Sequence, residues 1–130
     1  MKMELVTPER RVLAVEPEMV IIPGVDGDFG VLPGHMPLVS TVRAGRLEVR
    51  DAAGTRRYVV SRGYAEALPD RVTLLVDRAI PVEELKAEAA KASLSEENGR
   101  LAQIPEADPA YDRQKAAVEF AAACVAAVGE

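Results

Sequence analysis

The segment from Pro23 to Pro37, PGVDGDFGVLPGHMP, constrains the fold of this 130-residue chain more than any other. It holds four glycines, three prolines, two aspartates and the single histidine of the protein. Glycine allows positive φ, whereas proline fixes φ and lacks an N–H donor, so this segment cannot form the interior of a helix. It predicts a series of tight turns around one extended piece, from Phe29 to Leu32.

Short extended segments separated by turn residues fill the first 80 residues. In the clearest of them, Arg46–Arg50, apolar and charged side chains alternate strictly, which is typical of a half-buried strand. Asp51–Gly54 then predicts a four-residue hairpin loop. The remaining predicted strands are residues 3–6, 11–15, 18–22, 38–42, 56–60, 64–68 and 71–76. Strands that recur about every 8 to 12 residues indicate a β-sandwich or a β-barrel.

A change from strand periodicity to helical periodicity at Pro81 divides the chain. Proline suits the first turn of a helix, so a first helix is predicted to begin there and to end at Asn98-Gly99, a stop signal. Asp108-Pro109 predicts a second helix, from about residue 109 to about residue 128. The predicted buried faces are Val82, Leu85, Ala89 and Ala92 in the first helix, and Ala117, Ala121, Cys124 and Val128 in the second. The predicted domains are therefore residues 1–80, rich in strands, and residues 81–130, a helical hairpin.

The net charge of −5 lies entirely in residues 81–130, which carry ten acidic and five basic side chains, whereas residues 1–80 are neutral. This balance argues against a general binder of nucleic acid or of an anionic membrane. No segment approaches the roughly 20 apolar residues that span a bilayer, and the first residues do not resemble a signal peptide. One cysteine, Cys124, excludes an internal disulfide and fits a reducing compartment. We therefore expect a soluble, cytoplasmic chain that is able to dock on a membrane complex.

The glycines and aspartates of the central segment do not match the known ligand loops. Gly24, Gly27 and Gly30 are not followed by Lys-Ser/Thr and do not open a helix, so neither phosphate-binding pattern is met. Asp26 and Asp28 have the spacing that begins a calcium loop, but the remaining ligands of such a loop are missing. These residues are better explained as turn formers, and no cofactor or metal is predicted.

His35 and Cys124 are the two remaining candidates for chemistry. A single histidine cannot build a histidine-based metal site or a histidine-containing triad within one chain. From the residues alone, His35 is either a contact residue or a satisfied turn residue, and the second explanation is favoured. Cys124 lies in an apolar helical face without a basic neighbour and is predicted to be a packing residue. No catalytic residue is predicted.

The order of elements and the central segment resemble the epsilon subunit of the bacterial F-type, rotary ATP synthase. Residues 27–40, GDFGVLPGHMPLVS, match the family pattern of glycine, acid, hydrophobe, glycine, hydrophobe, any residue, Pro-Gly-His, any residue, proline and hydrophobe. Further matches lie at residues 45–49, 63–66 and 72–79, and the resemblance covers essentially the whole chain. It implies a flattened β-sandwich of about ten strands followed by an antiparallel two-helix hairpin.

The resemblance also implies a function and a set of contact residues. The subunit would be a non-catalytic part of the central rotor stalk that binds the gamma subunit and the c ring and couples proton flow to ATP synthesis. Positions matching Thr7, His35 and Ser40 would face gamma, and the position matching Asp28 would face the c ring. The chain would then be a peripheral protein at the cytoplasmic face of the bacterial inner membrane.

Regulation by the hairpin is the third implication of the resemblance. In many members the hairpin extends along gamma and inhibits ATP hydrolysis through basic residues that meet the catalytic alpha/beta head, and here the second helix offers Arg113 and Lys115. Some members bind ATP through a motif at the start of the first helix. The aligned positions here include Val82, Glu83, Lys86 and Ala87, with lysine in place of arginine and glutamate in place of aspartate. An ATP-responsive sensor is therefore the alternative function.

Overall fold

Ten β-strands and two α-helices form the fold in the computed structural model, which describes residues 1–128. The strands are Lys2–Val6 (β1), Arg11–Val15 (β2), Met19–Gly24 (β3), Gly27–Val31 (β4), Leu38–Val42 (β5), Gly45–Asp51 (β6), Gly54–Val60 (β7), Gly63–Leu68 (β8), Arg71–Val76 (β9) and Ala79–Pro81 (β10). A short 3-10 turn, Val82–Glu84, precedes the helices Ala87–Leu101 (α1) and Tyr111–Ala127 (α2).

The strands form a sandwich of two layers. In order of pairing they run β10-β7-β6-β3-β5-β8-β9-β1-β2, and β4 pairs with the free side of β3. The two layers are joined where Gly24 of β3 pairs with Val42 of β5. A β-carbon at Gly24 would lie 2.8 Å from the Gly27 carbonyl oxygen and 2.9 Å from the Phe29 ring, so only glycine fits this fold-over point. We call β4-β3-β6-β7-β10 the covered layer and β5-β8-β9-β1-β2 the open layer.

The core between the layers is made of aliphatic side chains from alternate strand positions, as the period-two pattern of half-buried strands requires. Its largest fully buried members are Met3, Leu5, Val20, Ile22, Val31, Val42, Leu47, Val49, Val60, Val72 and Leu74. Their alternation with exposed residues fixes the pairing register, because a shift by one residue would turn the apolar set toward water.

The two helices pack against the covered layer. Val59 points away from the main core and forms a second cluster with Ala90 of α1 and with Phe120 and Cys124 of α2. The helices are antiparallel, since the Gln114 amide near the start of α2 donates to the Glu97 carbonyl near the end of α1 at 3.0 Å. Small alanines let the helix axes approach but bury little apolar area per residue.

The predicted strands are confirmed, with changes at their ends. The ten-stranded sandwich expected from the resemblance is also present, and β10 is the strand that periodicity missed, because it has three residues and ends in Pro81. The predicted four-residue loop at residues 51–54 is shorter. Asp51 and Gly54 pair with each other, the Ala53 N–H donates to the Asp51 carboxylate at 2.9 Å, and Gly54 has φ of +139°. Two residues therefore make the turn.

The predicted start and end of the first helix are wrong. Pro81 ends the edge strand β10 opposite Tyr58, and α1 begins only at Ala87. The helix also continues through Asn98-Gly99 to Leu101, and Arg100 in its last turn makes ion pairs with Glu96 and Glu97. These pairs offset part of the cost of about 1 kcal/mol of a helical glycine.

The predicted buried face is wrong for the first helix and partly confirmed for the second. In the first helix Ala89 and Ala92 are exposed and Ala90 is buried, so the face is rotated from the predicted one because the helix starts later. In the second helix the buried positions of Ala121 and Cys124 are confirmed, and Phe120 joins them. Residues 129 and 130 of the predicted hairpin segment lie outside the described residues.

Candidate docking surface on the open layer

The outer face of the open layer carries a continuous row of side chains across four neighbouring strands. Thr41 of β5 pairs with Tyr64 of β8, Tyr64 pairs with Leu75 of β9, and Leu75 pairs with Val6 of β1. Because paired residues in a sheet point to the same face, the four side chains lie side by side. We call Thr41, Tyr64, Leu75 and Val6 the outer row.

The outer row is largely apolar, and its two central members are exposed to solvent. Tyr64 is 63% exposed and Leu75 is 54% exposed, and Val25 beside them is 56% exposed. Among residues 1–128, the other exposed large apolar side chains lie on β5 or in the loop before it: Leu32, Met36, Leu38 and Val39. Most of them therefore lie on the open layer or in loops at its ends, whereas the helices pack on β6 and β7 of the other layer. Several exposed apolar side chains on one layer are typical of a protein interface.

A depression of about 790 Å³ lies over the outer row. It is lined by the four residues of the row and by the charged residues Arg43, Arg62 and Glu119. Thr7, which follows β1, also borders it. The depression therefore combines apolar and charged side chains, as recognition surfaces do.

Thr7 and His35, both predicted to face gamma, lie at opposite ends of the open layer. Thr7 is 7% exposed, and its hydroxyl donates to the Arg10 carbonyl at 3.3 Å. His35 precedes β5 at the other end, where the N–H of Gly34 donates to the Pro69 carbonyl at 2.8 Å. Ser40 lies between these ends on β5, half-buried, and its hydroxyl donates to the Thr41 carbonyl at 3.2 Å. The structure spreads the three residues along one layer.

The loop around His35 is held in a fixed shape by its own backbone. Gly34 has φ of +84°, a conformation that favours glycine, and the His35 N–H donates to the Leu32 carbonyl at 3.1 Å. The bend leaves Met36 79% exposed and Leu32 55% exposed. The loop therefore presents apolar side chains at low cost in conformational entropy.

Asp28, the predicted c-ring residue, is paired within the chain. Its carboxylate accepts from Arg43 Nη2 at 2.6 Å, and Arg43 Nη1 donates to the Gly24 carbonyl at 2.5 Å. The Arg43 N–H also donates to the Pro23 carbonyl at 2.9 Å. Arg43 thus ties the β3–β4 hairpin to the end of β5, and Asp28 presents an ion pair at the same end of the open layer as Thr7. Sequence spacing could not indicate this partner, which is 15 residues away.

The four predicted nucleotide-binding residues lie at the start of the helical hairpin, in different surroundings. Val82 packs in the cluster under the helices, Glu83 is exposed in the 3-10 turn, and Ala87 is the first residue of α1. Lys86 lines a depression of about 600 Å³ between the helices. Arg100, on the same depression, is occupied by Glu96 and Glu97.

Two further properties concern residues 1–128 as a whole. No group of three or more His, Cys, Asp and Glu side chains converges to hold a metal ion in this part of the chain. Neither described helix has the length and hydropathy required to span a bilayer.

The outer row was not singled out from the sequence. A signal for it exists in β9, where Leu74-Leu75-Val76 interrupts the alternation and places an apolar side chain on each face of the strand. Tyr64 gives a second signal, because a large aromatic alternates with the buried Ala65. Both signals need the pairing of β8 with β9 before they combine into a surface.

A sandwich with one layer under a helical hairpin and the other layer open and apolar defines an assembly subunit, a protein that docks on partners. Comparison with known proteins identifies the assembly. Residues 1–82 match the family model for the ATP synthase, Delta/Epsilon chain, beta-sandwich domain. The chain is 42% identical over 117 residues to the ATP synthase epsilon chain of Rhodospirillum rubrum, covering 88% of this chain and 87% of that one.

Two further comparisons agree. Identity to the ATP synthase epsilon chain of Magnetococcus marinus is 36% over 126 residues, covering 97% of this chain and 92% of that one. A chain in the OSCP/F1/c-ring structure of the Euglena gracilis mitochondrial ATP synthase superposes with a TM-score of 0.78 at 27% identity, covering 96% of this chain and 79% of that one. The chain therefore belongs to the ATP synthase epsilon chain family. The resemblance inferred from the central segment is confirmed, as is the role of a non-catalytic subunit of this membrane-bound complex.

Proposed function

We propose that the open layer is the surface by which this subunit binds the gamma subunit of the rotor. The observation that carries the proposal is the exposed apolar outer row, with Tyr64 and Leu75 more than half exposed at its centre. Burial of apolar surface is the main favourable term in association, and a large aromatic side chain at the centre of a patch is a typical anchor. In this layer His35 would contact gamma from the loop before β5, whereas Thr7 is 7% exposed and Ser40 pairs with the buried Ala65, so these two would support the surface from within.

The ion pair of Asp28 with Arg43 is our proposed contact with the c ring. The pair lies on the β3–β4 hairpin and is partly exposed, at 57% for the Asp28 side chain and 43% for that of Arg43. Because the pair is neutral as a unit, it offers both an acceptor and a donor to polar groups of a neighbouring loop. The rigid hairpin would then transmit torque between the ring and gamma.

The position of the subunit follows from these two contacts. A subunit that binds gamma and the c ring lies beside the membrane without crossing it, so we place it at the cytoplasmic face of the bacterial inner membrane as a peripheral component. Its contribution to ATP synthesis is mechanical coupling of proton flow to the catalytic head.

The helical hairpin is our proposed regulatory unit. It is attached to residues 1–80 through one small cluster around Val59 and through charged contacts, so it can leave the sandwich without opening the main core. Arg113 and Lys115 are exposed on α2 and would meet acidic groups of the alpha/beta head after such a movement.

Binding of purified gamma to two charge-introducing variants tests the docking surface. We expect Tyr64→Asp to weaken binding by more than roughly 30-fold, because it places a carboxylate in an apolar contact. Thr55→Asp is the matched control, since Thr55 is an exposed strand residue of the covered layer. Equal affinities of the two folded variants for gamma would refute the proposed surface.

A further inference from the structure

Two arginines of the sandwich hold consecutive residues of α2. Arg62, between β7 and β8, donates from Nε to Glu119 Oε1 at 2.8 Å and from Nη2 to Oε2 at 2.9 Å, and its Nη1 reaches both carboxylate oxygens of Asp112 at 3.1 Å. Arg78, between β9 and β10, places its guanidinium carbon 4.5 Å from the centre of the Phe120 ring. The pair with Glu119 is bidentate, the geometry in which arginine binds a carboxylate most strongly.

The two arginines are themselves joined through Ser61. The Ser61 N–H donates to the Arg78 carbonyl at 3.0 Å, and the Arg78 N–H donates to the Ser61 hydroxyl at 2.8 Å. Ser61 is buried, so this link is shielded from water. The backbones of Arg62 and Arg78 are therefore fixed relative to each other. A helix that contacts both side chains must lie at one position on the sandwich and in one rotation about its axis.

An apolar cluster makes the other part of the attachment. Its one large aromatic side chain is the Phe120 that Arg78 covers, and its other members are alanines, Cys124 and aliphatic side chains such as Val59 and Leu85. The charged contacts therefore adjust a balance to which apolar burial also contributes. Neither partner of the bidentate pair is fully buried, at 34% and 38% exposure for Arg62 and Glu119, so salt can screen it.

We propose that Arg62 and Arg78 form a clasp on α2, and that the Arg62–Glu119 pair sets the fraction of chains in which the hairpin lies on the sandwich. The proposal deepens the regulatory role given to the hairpin above and rests on it for its biological meaning. The geometry of the clasp is a property of the isolated chain.

Cys124 supplies a native probe of this equilibrium. Cys124 is 6% exposed, lies in the same cluster as Val59 and Phe120, and burial raises the pKa of its thiol. A thiol in that position reacts with a water-soluble aromatic disulfide reagent only after the helix has moved away. The rate of labelling of the full chain therefore reports the population of the detached hairpin.

Arg62→Gln is expected to raise the rate of Cys124 labelling roughly tenfold, because it leaves the Glu119 carboxylate without its bidentate partner. Glu119→Gln should raise the rate less, because Arg62 keeps its contact with Asp112. The charge swap, Arg62→Glu with Glu119→Arg, is expected to recover only part of the difference, because the carboxylate introduced at position 62 faces Asp112. High salt should accelerate labelling of the natural chain and have little effect on Glu119→Gln. Glu96→Gln, which removes an ion pair inside the hairpin, is the matched control and should label like the natural chain.

The outcome that overturns the proposal is a Glu119→Gln chain, folded by circular dichroism, that labels no faster than the natural chain. Equal acceleration by Glu96→Gln would overturn it as well, since the effect would then be general loosening of the hairpin. Amide hydrogen exchange of α2 in the same variants gives an independent readout. The experiment contains no gamma, so failure of the docking proposal and failure of the clasp are separate results.

Discussion

Gly63 lies so close to Leu75 on the neighbouring strand that a β-carbon at position 63 would stand 2.0 Å from the Leu75 carbonyl oxygen. It would also stand 2.8 Å from a methyl group of Val76, and backbone cannot give way as a flexible side chain can. This contact lies beside the pairing of Tyr64 with Leu75, so the glycine permits the close approach of β8 and β9 at the centre of the outer row.

Substitution of Gly63 by alanine should therefore destabilise the sandwich. We expect Gly63→Ala to lower the free energy of unfolding by roughly 2 kcal/mol or more, because the strands must separate to admit the methyl group. Gly99→Ala is the matched control. No atom lies within 4 Å of the β-carbon that it adds, and Gly99 is helical, so the same substitution should stabilise the chain by about 1 kcal/mol. Urea unfolding of both variants measures the difference, and the same sign for both would contradict the steric argument.

The strands were predictable because their signal is local. Leu47 and Val49 alternate with charged residues, and turn residues bound each segment, so strand existence needs no knowledge of the partner strand. The helix limits were not predictable in the same way. Pro81 looks like a helix start until the pairing of Ile80 with Val59 makes it the end of a strand. Gly99 looks like a helix stop until the ion pairs of Arg100 are known.

In the candidate site, too, only the local features were predictable from the sequence. The Pro-Gly-His segment around His35 indicated a docking loop, because its turn residues are adjacent in sequence. The ion pair of Asp28 with Arg43 and the row formed by Tyr64 and Leu75 join residues that only the fold brings together. Contacts of this kind depend on strand order and register, which no local pattern contains.

Ionisation of Glu48 makes the stability of the folded chain depend on pH. Its side chain is 8% exposed and accepts from Arg50 Nε at 2.6 Å and from Arg57 Nε at 3.0 Å. Burial raises the pKa of Glu48, but hydrogen bonds from both arginines outweigh burial and hold its pKa below the ordinary value. A carboxyl group whose pKa is lower in the folded state than in the unfolded state stabilises the fold at pH values above its unfolded-state pKa. This stabilisation is lost as the pH falls through the folded-state pKa.

We therefore expect Glu48→Gln to lower the free energy of unfolding at neutral pH and to flatten its decrease in acid. Thermal or urea unfolding between about pH 3 and about pH 7 covers the range in which carboxyl groups titrate. Glu66→Gln, an exposed position on the open layer, should follow the profile of the natural chain. If the Glu48→Gln chain showed the same acid-dependent loss as the natural chain, the ion pairs would not be its source.

Substitution of Asp28 should affect assembly of the complex without affecting the stability of the chain. Because both side chains are partly exposed, their pair contributes less than about 1 kcal/mol to folding, and Asp28→Asn should unfold at nearly the natural urea concentration. If the pair contacts the c ring, the same variant should reduce proton-coupled ATP synthesis in reconstituted complexes. Asp26→Asn in the adjacent turn is the control for charge alone. Equal coupling by the two variants would remove Asp28 from the proposed contact.

Removal of the hairpin tests whether residues 1–80 form a separate folding unit. A chain that ends after Pro81 keeps all ten strands, and we expect its circular dichroism to show a folded β-protein. It exposes Val59, now 0% exposed, so the free energy of unfolding should decrease by roughly 2 kcal/mol. A chain that ends after Ala79 also loses the pairing of Ile80 and Pro81 with β7 and should be less stable than the longer one. Loss of the sheet signal in the longer chain would show that the hairpin is required for folding, and the division near residue 80 would then be wrong.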